Sequence, residues 1–141
     1  MHFRPTWHEI WMSMARLISQ RSHDLRTQVG ALVVTEDNST LLSVGYNGNY
    51  SGGPHEPDSS EPGKSGFIHA EVNALIKAPY YHQQKKLMYV TVSPCINCAK
   101  LIITANISTV IYDVEYRDPA GLDLLKNANV DVFQFSKLIK K

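Results

Sequence analysis

Two short motifs bring together side chains that bind metal ions. His-Ala-Glu at 69–71 is followed further along the chain by Ser-Pro-Cys-Ile-Asn-Cys at 93–98. One imidazole and two thiolates are ligands that zinc prefers, and three protein ligands leave the fourth tetrahedral position open, as in catalytic zinc sites. The pattern therefore predicts one catalytic zinc ion per chain, bound by His69, Cys95 and Cys98.

The first motif also supplies an acid, Glu71. Zinc lowers the pKa of a bound water to about 7, and a neighbouring carboxylate can take that proton and deliver it to a substrate. Residues i and i+2 of a regular helix do not face the same way. His69 and Glu71 can therefore address one metal ion only if the helix begins at about His69, and we predict that it does.

Taken alone, the Cys-x-x-Cys pair is compatible with other kinds of site. A Cys-x-x-Cys pair also fits a redox pair or half of a structural zinc site. Pro94 is tolerated just before a helix that begins near Cys95, and both thiolates would then lie in its first turn, where the helix dipole favours negative charge. Because each motif opens a predicted helix and the two occur together, the catalytic site is favoured.

The elements that must position these residues follow from periodicity. Thr6 and Glu9 form a capping-box pattern that predicts an amphipathic helix over 6–21. Its apolar stripe is expected in the core and consists of Trp7, Ile10, Trp11, Met14, Leu17 and Ile18. Predicted strands at 29–35 and 40–46 flank turn residues 36–39, which indicates a hairpin. A long Gly/Pro/Ser-rich loop is predicted to follow over 47–66.

Helices and strands alternate in the second half of the chain. The predicted order after the loop is helix 69–78, strand 87–92, helix 95–105, strand 109–112, helix 121–128 and strand 130–135. This α-β-β-α-β-α-β-α-β order predicts an α/β fold with partly parallel strands and helices covering the sheet.

Composition limits the class of protein. The chain has 141 residues, is 43% apolar and 19% charged, and carries a net charge of +1, which predicts one domain over 1–141. The short basic clusters at 85–86 and 137–141 are expected to be solvated surface, so no nucleic-acid partner is predicted. The absence of a long apolar run or a signal-peptide pattern leads us to expect no membrane span and a cytoplasmic protein.

Further segments resemble the deoxycytidylate (dCMP) deaminase family. They are Arg-Ser-His-Asp at 21–24, Gln-Val-Gly-Ala at 28–31, Gly-Tyr-Asn-Gly at 45–48, Cys-Ala-Lys-Leu-Ile-Ile at 98–103, Val-Ile-Tyr at 110–112 and Tyr-Arg at 116–117. The zinc motifs themselves are those of zinc-dependent nucleobase deaminases. The resemblance implies a cytidine deaminase-like three-layer fold, with a five-stranded mixed sheet flanked by helices. It also implies hydrolytic deamination of dCMP to dUMP with release of ammonia, supplying thymidylate synthesis.

The resemblance also implies roles for individual residues. Glu71 would accept a proton from water, pass it to N3 of cytosine and protonate the leaving amino group. Asn47 is expected to hydrogen-bond the sugar hydroxyl, and Arg117, together with Tyr116, to hold the 5′-phosphate. The remaining residues expected around the base are Ala70, Ser93 and Pro94.

Regulation is implied by the resemblance alone. Family members are often hexamers that dCTP activates and dTTP inhibits, and Mg²⁺ would accompany the triphosphate. The candidate allosteric residues are Arg26, Gln28, Gly45, Tyr46 and Gly48. Some members hold a second zinc with extra cysteines in the Gly-rich loop. This chain has two cysteines only, so that site is not expected, and His55 in the loop is expected to be merely solvated.

Two other functions share these motifs. A polynucleotide deaminase of the tRNA adenosine type would need a surface for flanking nucleotides, and the near-neutral charge speaks against it. A non-catalytic zinc module, such as a DNA-uptake or regulatory protein with this fold, would not need Glu71.

Overall fold

A five-stranded sheet organises the computed structural model, which describes residues 2–80 and 84–139. The strands are β1 (Gly30–Thr35), β2 (Leu41–Tyr46), β3 (Lys86–Val92), β4 (Ile107–Val114) and β5 (Asp131–Gln134). Their order across the sheet is β2-β1-β3-β4-β5. Strand β1 is antiparallel to both β2 and β3, whereas β3, β4 and β5 are mutually parallel. The predicted mixed sheet is therefore confirmed.

Helices cover both faces of the sheet. They are α1 (Trp7–Ser19), α2 (Ala70–Lys77), α3 (Ile96–Thr104), α4 (Ala120–Asn127) and α5 (Phe135–Leu138). Side chains of α2, α3 and α4 pack into one core cluster, and those of α1 and α5 pack into the other. Within residues 2–80 and 84–139, no helix has the length and apolar character needed to cross a membrane.

Strand β1 shows why both faces need a helical layer. Ala31 and Val33 point into the cluster under α2, while Leu32 and Val34 point into the cluster under α1. Successive side chains of a strand point to opposite faces, so a continuously apolar strand is stable only with cover on both sides. All four side chains are fully buried.

The first helix begins as predicted, and four of the six residues of the predicted stripe pack in the core: Ile10, Trp11, Met14 and Ile18. The amide N–H of Glu9 donates to Thr6 Oγ1 over 3.2 Å, and the amide N–H of Thr6 donates to Glu9 Oε1 over 2.9 Å, so the capping box is present. Trp7 and Leu17, expected in the core, are 49% and 63% exposed. Met12, which was not part of the predicted stripe, is fully buried in the same cluster.

The end of the chain differs from the prediction. The last strand was expected to run to Phe135, but β5 ends at Gln134 and the chain turns into helix α5. The ring of Phe135 is buried in the α1 cluster, and Leu138 of α5 packs against the same cluster. The basic tail predicted at 137–141 lies partly outside the described residues, which end at Ile139.

The strand directions place several loops at one edge of the sheet. Strand β2 runs in the same direction as β3, β4 and β5, because β1 is antiparallel to both of its neighbours. The segments that follow β2, β3 and β4 therefore begin at the same edge, which we call the carboxyl edge: they begin at Asn47, Ser93 and Glu115. The predicted loop over 47–66 contains no helix or strand; its described backbone pairing is a bridge between Gly48 and Ile68.

Candidate active site

Three metal-binding side chains meet where two helices begin. His69 is the N-cap residue of α2 and Cys95 is the N-cap residue of α3, both with extended backbone, while Cys98 lies in the first turn of α3. The Nδ1 atom of His69 lies 3.1 Å from Cys98 Sγ and 3.6 Å from Cys95 Sγ. All three possible ligand atoms lie within 4.8 Å of one another.

This geometry fits zinc. Tetrahedral zinc with bonds of about 2.3 Å to sulfur and about 2.1 Å to nitrogen separates a sulfur and a nitrogen ligand by about 3.6 Å. The two nitrogen–sulfur distances in the structure, 3.1 and 3.6 Å, need only small movements to reach that value. The donor set of one nitrogen and two sulfurs is also typical of zinc.

The charges of the thiols support the same conclusion. Hydrogen bonds from Cys98 and His69 lower the pKa of Cys95 to about 3, whereas the neighbouring Cys95 and burial raise the pKa of Cys98. The hydrogen bond with Cys95 raises the pKa of His69. A dication bound by these three side chains would take the place of the thiol proton and stabilise the negative charge of the sulfur atoms.

Glu71 is buried directly beside these donors. It is 4% exposed and lies in the first turn of α2, two residues after His69. The predicted start of the helix is confirmed: His69 has an extended backbone, so it and Glu71 do not follow helical spacing and can face one point. Burial raises the pKa of the Glu71 carboxyl group, which brings it toward the range that a group accepting and donating protons needs.

Two glycines allow the site-bearing helices to pack tightly. A Cβ atom at Gly45 of β2 would overlap the carbonyl oxygen of Ala70 in α2. A Cβ atom at Gly121 of α4 would overlap the carbonyl oxygen of Pro94, directly before Cys95. No role was predicted for Gly121, because the need for glycine there comes from a contact between segments far apart in the sequence.

Asn47 has a structural role at the carboxyl edge. Its side-chain Oδ1 accepts from the amide N–H of Val29 over 2.8 Å, and its Nδ2 donates to Thr27 O over 2.9 Å and to Asp24 Oδ2 over 3.2 Å. Asn47 as a whole is 6% exposed. Both amide protons have partners in the chain, so a sugar hydroxyl would have to donate to the remaining lone pair of Oδ1.

The other residues predicted to bind substrate differ in exposure. Ala70, Ser93 and Pro94 are buried. Ser93 Oγ accepts from the amide N–H of Tyr116 over 2.6 Å, which joins the loops after β3 and β4. Tyr116 is 39% exposed and Arg117 is exposed on the same loop.

The candidate allosteric residues cluster near the start of β1 and the end of β2. The guanidinium group of Arg26 donates to Ser60 O over 2.6 Å, and the amide of Gln28 donates to Ser22 O over 3.0 Å. The ring of Tyr46 lies 6.0 Å below the guanidinium carbon of Arg21. Gly48 pairs with Ile68, the residue before His69.

Four residues near Asn47 and in the long loop make contacts that the sequence did not predict. Ser22 is buried and donates from Oγ to Asn47 O over 2.8 Å, so Ser22 and Asp24 hold the segment before β1 around Asn47. The ring of His55 stacks on that of His23 at a centroid distance of 4.0 Å. His55 is exposed but has a ring partner, which corrects the expectation of a merely solvated side chain.

Known proteins share this fold and these motifs. The family model "Cytidine and deoxycytidylate deaminase zinc-binding region" matches residues 5–114. The chain therefore belongs to the cytidine and deoxycytidylate deaminase family of zinc-binding proteins.

Individual relatives place the chain within that family. It is 33% identical over 145 aligned positions to a deoxycytidylate deaminase of Saccharomyces cerevisiae, covering 94% of this chain and 46% of the yeast protein. It is 34% identical to ComE operon protein 2 of Bacillus subtilis, covering 93% of this chain and 72% of that protein. The chain thus spans about half of the yeast relative and nearly three quarters of the Bacillus one.

A solved structure covers nearly the same length. The dCMP deaminase of cyanophage S-TIM5, crystallised with dCMP and dUMP, is 35% identical and aligns with a TM-score of 0.82. The alignment covers 94% of this chain and 99% of the phage chain. This agreement confirms the predicted three-layer fold with a five-stranded mixed sheet.

Proposed function

We propose that this chain is a zinc-dependent hydrolase that converts dCMP and water into dUMP and ammonia. The observation that carries the proposal is the buried carboxyl group of Glu71 beside a three-donor metal site. A structural zinc site needs a fourth protein ligand and no acid, whereas hydrolytic deamination needs an open position and a proton carrier. The dCMP and dUMP bound to the phage relative support cytosine nucleotides as substrate and product.

Zinc held by His69, Cys95 and Cys98 would activate a water for attack on C4 of cytosine. Glu71 accepts a proton from that water and transfers it to N3. Glu71 then takes the remaining proton from the hydroxyl group now bonded to C4 and delivers it to the exocyclic amino group, so that the C4–N4 bond breaks, the C4 carbonyl forms and ammonia leaves. Because Glu71 is 4% exposed, bulk water does not compete for these proton transfers.

The proposed substrate pocket lies at the carboxyl edge of the sheet. Backbone atoms of Ala70 and Pro94 and the buried Ser93 would border the base, and Asn47 would accept a hydrogen bond from the sugar hydroxyl. Arg117, beside Tyr116, is exposed and free to fold toward a phosphate, where charge-assisted hydrogen bonds are strong.

The proposal is tested with one assay on four substrates. Ammonia release is measured with dCMP, deoxycytidine, dCTP and single-stranded DNA side by side, on protein whose zinc content is known. Turnover of dCMP well above the other three is expected, with about one zinc per chain. Cys95→Ala should lose both metal and activity, because metal binding is coupled to the local fold. Preferred turnover of single-stranded DNA, or full zinc occupancy in Cys95→Ala, would contradict the assignment.

The proposal also covers the oligomeric state and the regulation of the enzyme by nucleotides. We infer a homo-oligomer, a hexamer by resemblance, activated by dCTP and inhibited by dTTP with Mg²⁺ through Arg26, Gln28 and the Gly-Tyr-Asn-Gly segment at 45–48. A groove of about 400 Å³ between α2 and α3, with Ile76, Tyr80 and Leu101 exposed beside it, supports association through an apolar surface. Light scattering tests the assembly, and dCMP turnover at sub-saturating substrate, with dCTP or dTTP and Mg²⁺ added, tests the regulation.

Chain organisation and location are also proposed. We propose that residues 1–141 work as one deaminase domain, since the described helices all pack on one sheet. A cytoplasmic location suits two cysteines that must stay reduced to bind metal. Limited proteolysis of the zinc-loaded chain tests the first point, because a single domain should resist cleavage except in the 47–66 loop.

A non-catalytic role is the second candidate. The relative in Bacillus subtilis is named for the ComE operon, and a zinc module without enzymatic activity would account for the fold and donors equally well. Such a module gives no reason to bury Glu71. Zinc-loaded protein that binds dCMP without releasing ammonia would favour this second function.

A further inference from the structure

The structure assigns Asn73 a positioning role: it fixes helix α2, and with it Glu71, to the end of strand β2 at the pocket. The side-chain Nδ2 of Asn73 donates to the carbonyl oxygen of Tyr46 over 2.8 Å. Asn73 lies one half-turn after Glu71, and Tyr46 directly precedes Asn47. This inference rests on the proposed function, because it concerns how the same pocket is held in shape.

The Tyr46 carbonyl needs a partner from outside the β1–β2 ladder. Tyr46 lies opposite Gly30, and β2 is an edge strand. The neighbouring amide N–H of Asn47 donates to Val29 O over 3.3 Å, and the amide N–H of Gly30 donates away from β2, to Thr91 Oγ1. In an antiparallel ladder, hydrogen-bonded and non-bonded pairs alternate, so the Tyr46 carbonyl faces away from β1. Asn73 supplies its hydrogen bond.

A second connection joins the same segment to the start of α2. The amide N–H of Gly48 donates to Ile68 O over 3.1 Å, and the amide N–H of Ile68 donates to Gly48 O over 2.7 Å. Ile68 precedes His69, the proposed metal ligand. Residues 46–48 are therefore bonded to the chain on both sides of Glu71, at Ile68 before α2 and at Asn73 within α2.

Strand β2 and helix α2 also pack closely together between these two connections. Gly45 lies so close to α2 that a Cβ atom would overlap Ala70 O and crowd Ala74 N. A rigid contact of this kind transmits a displacement instead of absorbing it. When the Asn73 hydrogen bond is lost, the end of β2 and the first turn of α2 can separate, and Glu71 moves relative to the substrate contact at Asn47.

The chain offers a matched control in Ser43. Its Oγ donates to Ala74 O over 2.7 Å, so it ties the same strand to the same helix with one hydrogen bond. Ser43 lies three residues further from the pocket along β2. Ser43→Ala and Asn73→Ala therefore remove equivalent bonds at different distances from Glu71.

The experiment compares wild type, Asn73→Ala and Ser43→Ala as zinc-loaded proteins. Steady-state kinetics with dCMP give kcat and KM, and amide hydrogen exchange is followed at Gly48 and Ile68. Asn73→Ala should keep about one zinc per chain and lose about tenfold or more in kcat, since misplacement by about 1 Å costs up to about a hundredfold. Exchange at Gly48 and Ile68 should be about fivefold faster, as expected for one lost hydrogen bond.

Ser43→Ala should lose comparable thermal stability but keep kcat within about twofold, with unchanged exchange at Gly48 and Ile68. Equal losses of kcat in both variants would overturn the positioning role, as would unchanged exchange in Asn73→Ala. If wild-type protein does not release ammonia from dCMP, the proposed function fails by itself. The exchange comparison then decides whether Asn73 couples the two segments.

Discussion

The two faces of the sheet use their buried polar groups differently. Under α2, α3 and α4, Glu71 is buried beside His69 and Cys98, at helix starts on the carboxyl edge. Under α1 and α5, the hydroxyl of buried Tyr89 lies 2.6 Å from His8 Nδ1 and donates to Asn38 Oδ1 over 3.0 Å. The first set leaves donor atoms available to a ligand, while the Tyr89 hydroxyl is paired within the chain. Among the described residues, Trp11 Nε1 under α1 is buried without a hydrogen-bond partner.

This difference indicates that the two helical layers have different roles. The α1 layer adds packing and an ion pair in which Arg16 makes two hydrogen bonds to Asp113, 2.8 and 2.9 Å long. The α2–α4 layer carries the metal donors and the acid. Substitutions in the two layers should therefore separate activity from stability.

Glu71→Gln should produce the largest effect of all, on activity alone. Loss of a general acid–base group lowers kcat by about 10²–10⁴-fold. Zinc content and melting temperature should not fall, because a neutral amide is buried at lower cost than a carboxylate. Zinc analysis, calorimetry and dCMP turnover measure the three quantities. A control, Glu61→Gln on the exposed loop, should behave as wild type. Near wild-type turnover by Glu71→Gln would remove the acid–base role.

Met12→Ala should show the opposite pattern on the α1 face. Met12 is fully buried, and truncating a buried large side chain costs about 2–5 kcal/mol of unfolding free energy. The kcat per folded, zinc-loaded molecule should stay unchanged. Denaturant unfolding with parallel activity measurements tests this. Leu17→Ala is the control, since Leu17 is 63% exposed and should change stability by less than about 0.5 kcal/mol. Reduced kcat in folded Met12→Ala would show that the faces are not independent.

Arg117→Ala should change substrate choice without changing stability. If Arg117 holds the 5′-phosphate, a charged hydrogen bond worth about 1.5–3 kcal/mol is lost, or about ten- to a hundredfold in kcat/KM for dCMP. Deoxycytidine turnover should not change. The ratio of the two kcat/KM values is the readout, with Arg4→Ala as the control for net charge. Parallel losses for both substrates would instead assign Arg117 to general support of the pocket.

His8 should give the smallest effect, a pH dependence of stability. Burial lowers the pKa of His8 below its ordinary value, so the unfolded chain binds the proton more readily than the folded chain. The folded state is therefore favoured fully above the ordinary histidine pKa and loses stability as pH falls through and below it. His8→Gln keeps a group that can hydrogen-bond Tyr89 and should flatten this part of the curve. Unfolding free energies from pH 8 to pH 5 provide the comparison. Superimposable pH profiles for the two proteins would exclude His8 as the cause.

Local sequence signals predicted most of the elements because their causes are local. The capping box of Thr6 and Glu9 and the turn residues of the hairpin act over a few residues, and both were confirmed. Helix α5 was missed because nothing near Phe135 stops a strand. The ring is buried only because α1 and β4 form a cluster there, and local periodicity carries no information about distant partners.

In the candidate site, too, some features follow from local sequence and others from distant contacts. The sequence by itself determined the three donors, the acid and the need for a helix to begin at His69, since ligand chemistry and helical spacing are properties of residue types and intervals. Only the tertiary structure decided that Asn47 holds the segment before β1, that Asn73 bonds the Tyr46 carbonyl, and that Gly121 must lack a side chain against Pro94. Each of these depends on atoms from segments far apart in the chain, brought within a few ångströms only when both helical layers close on the sheet.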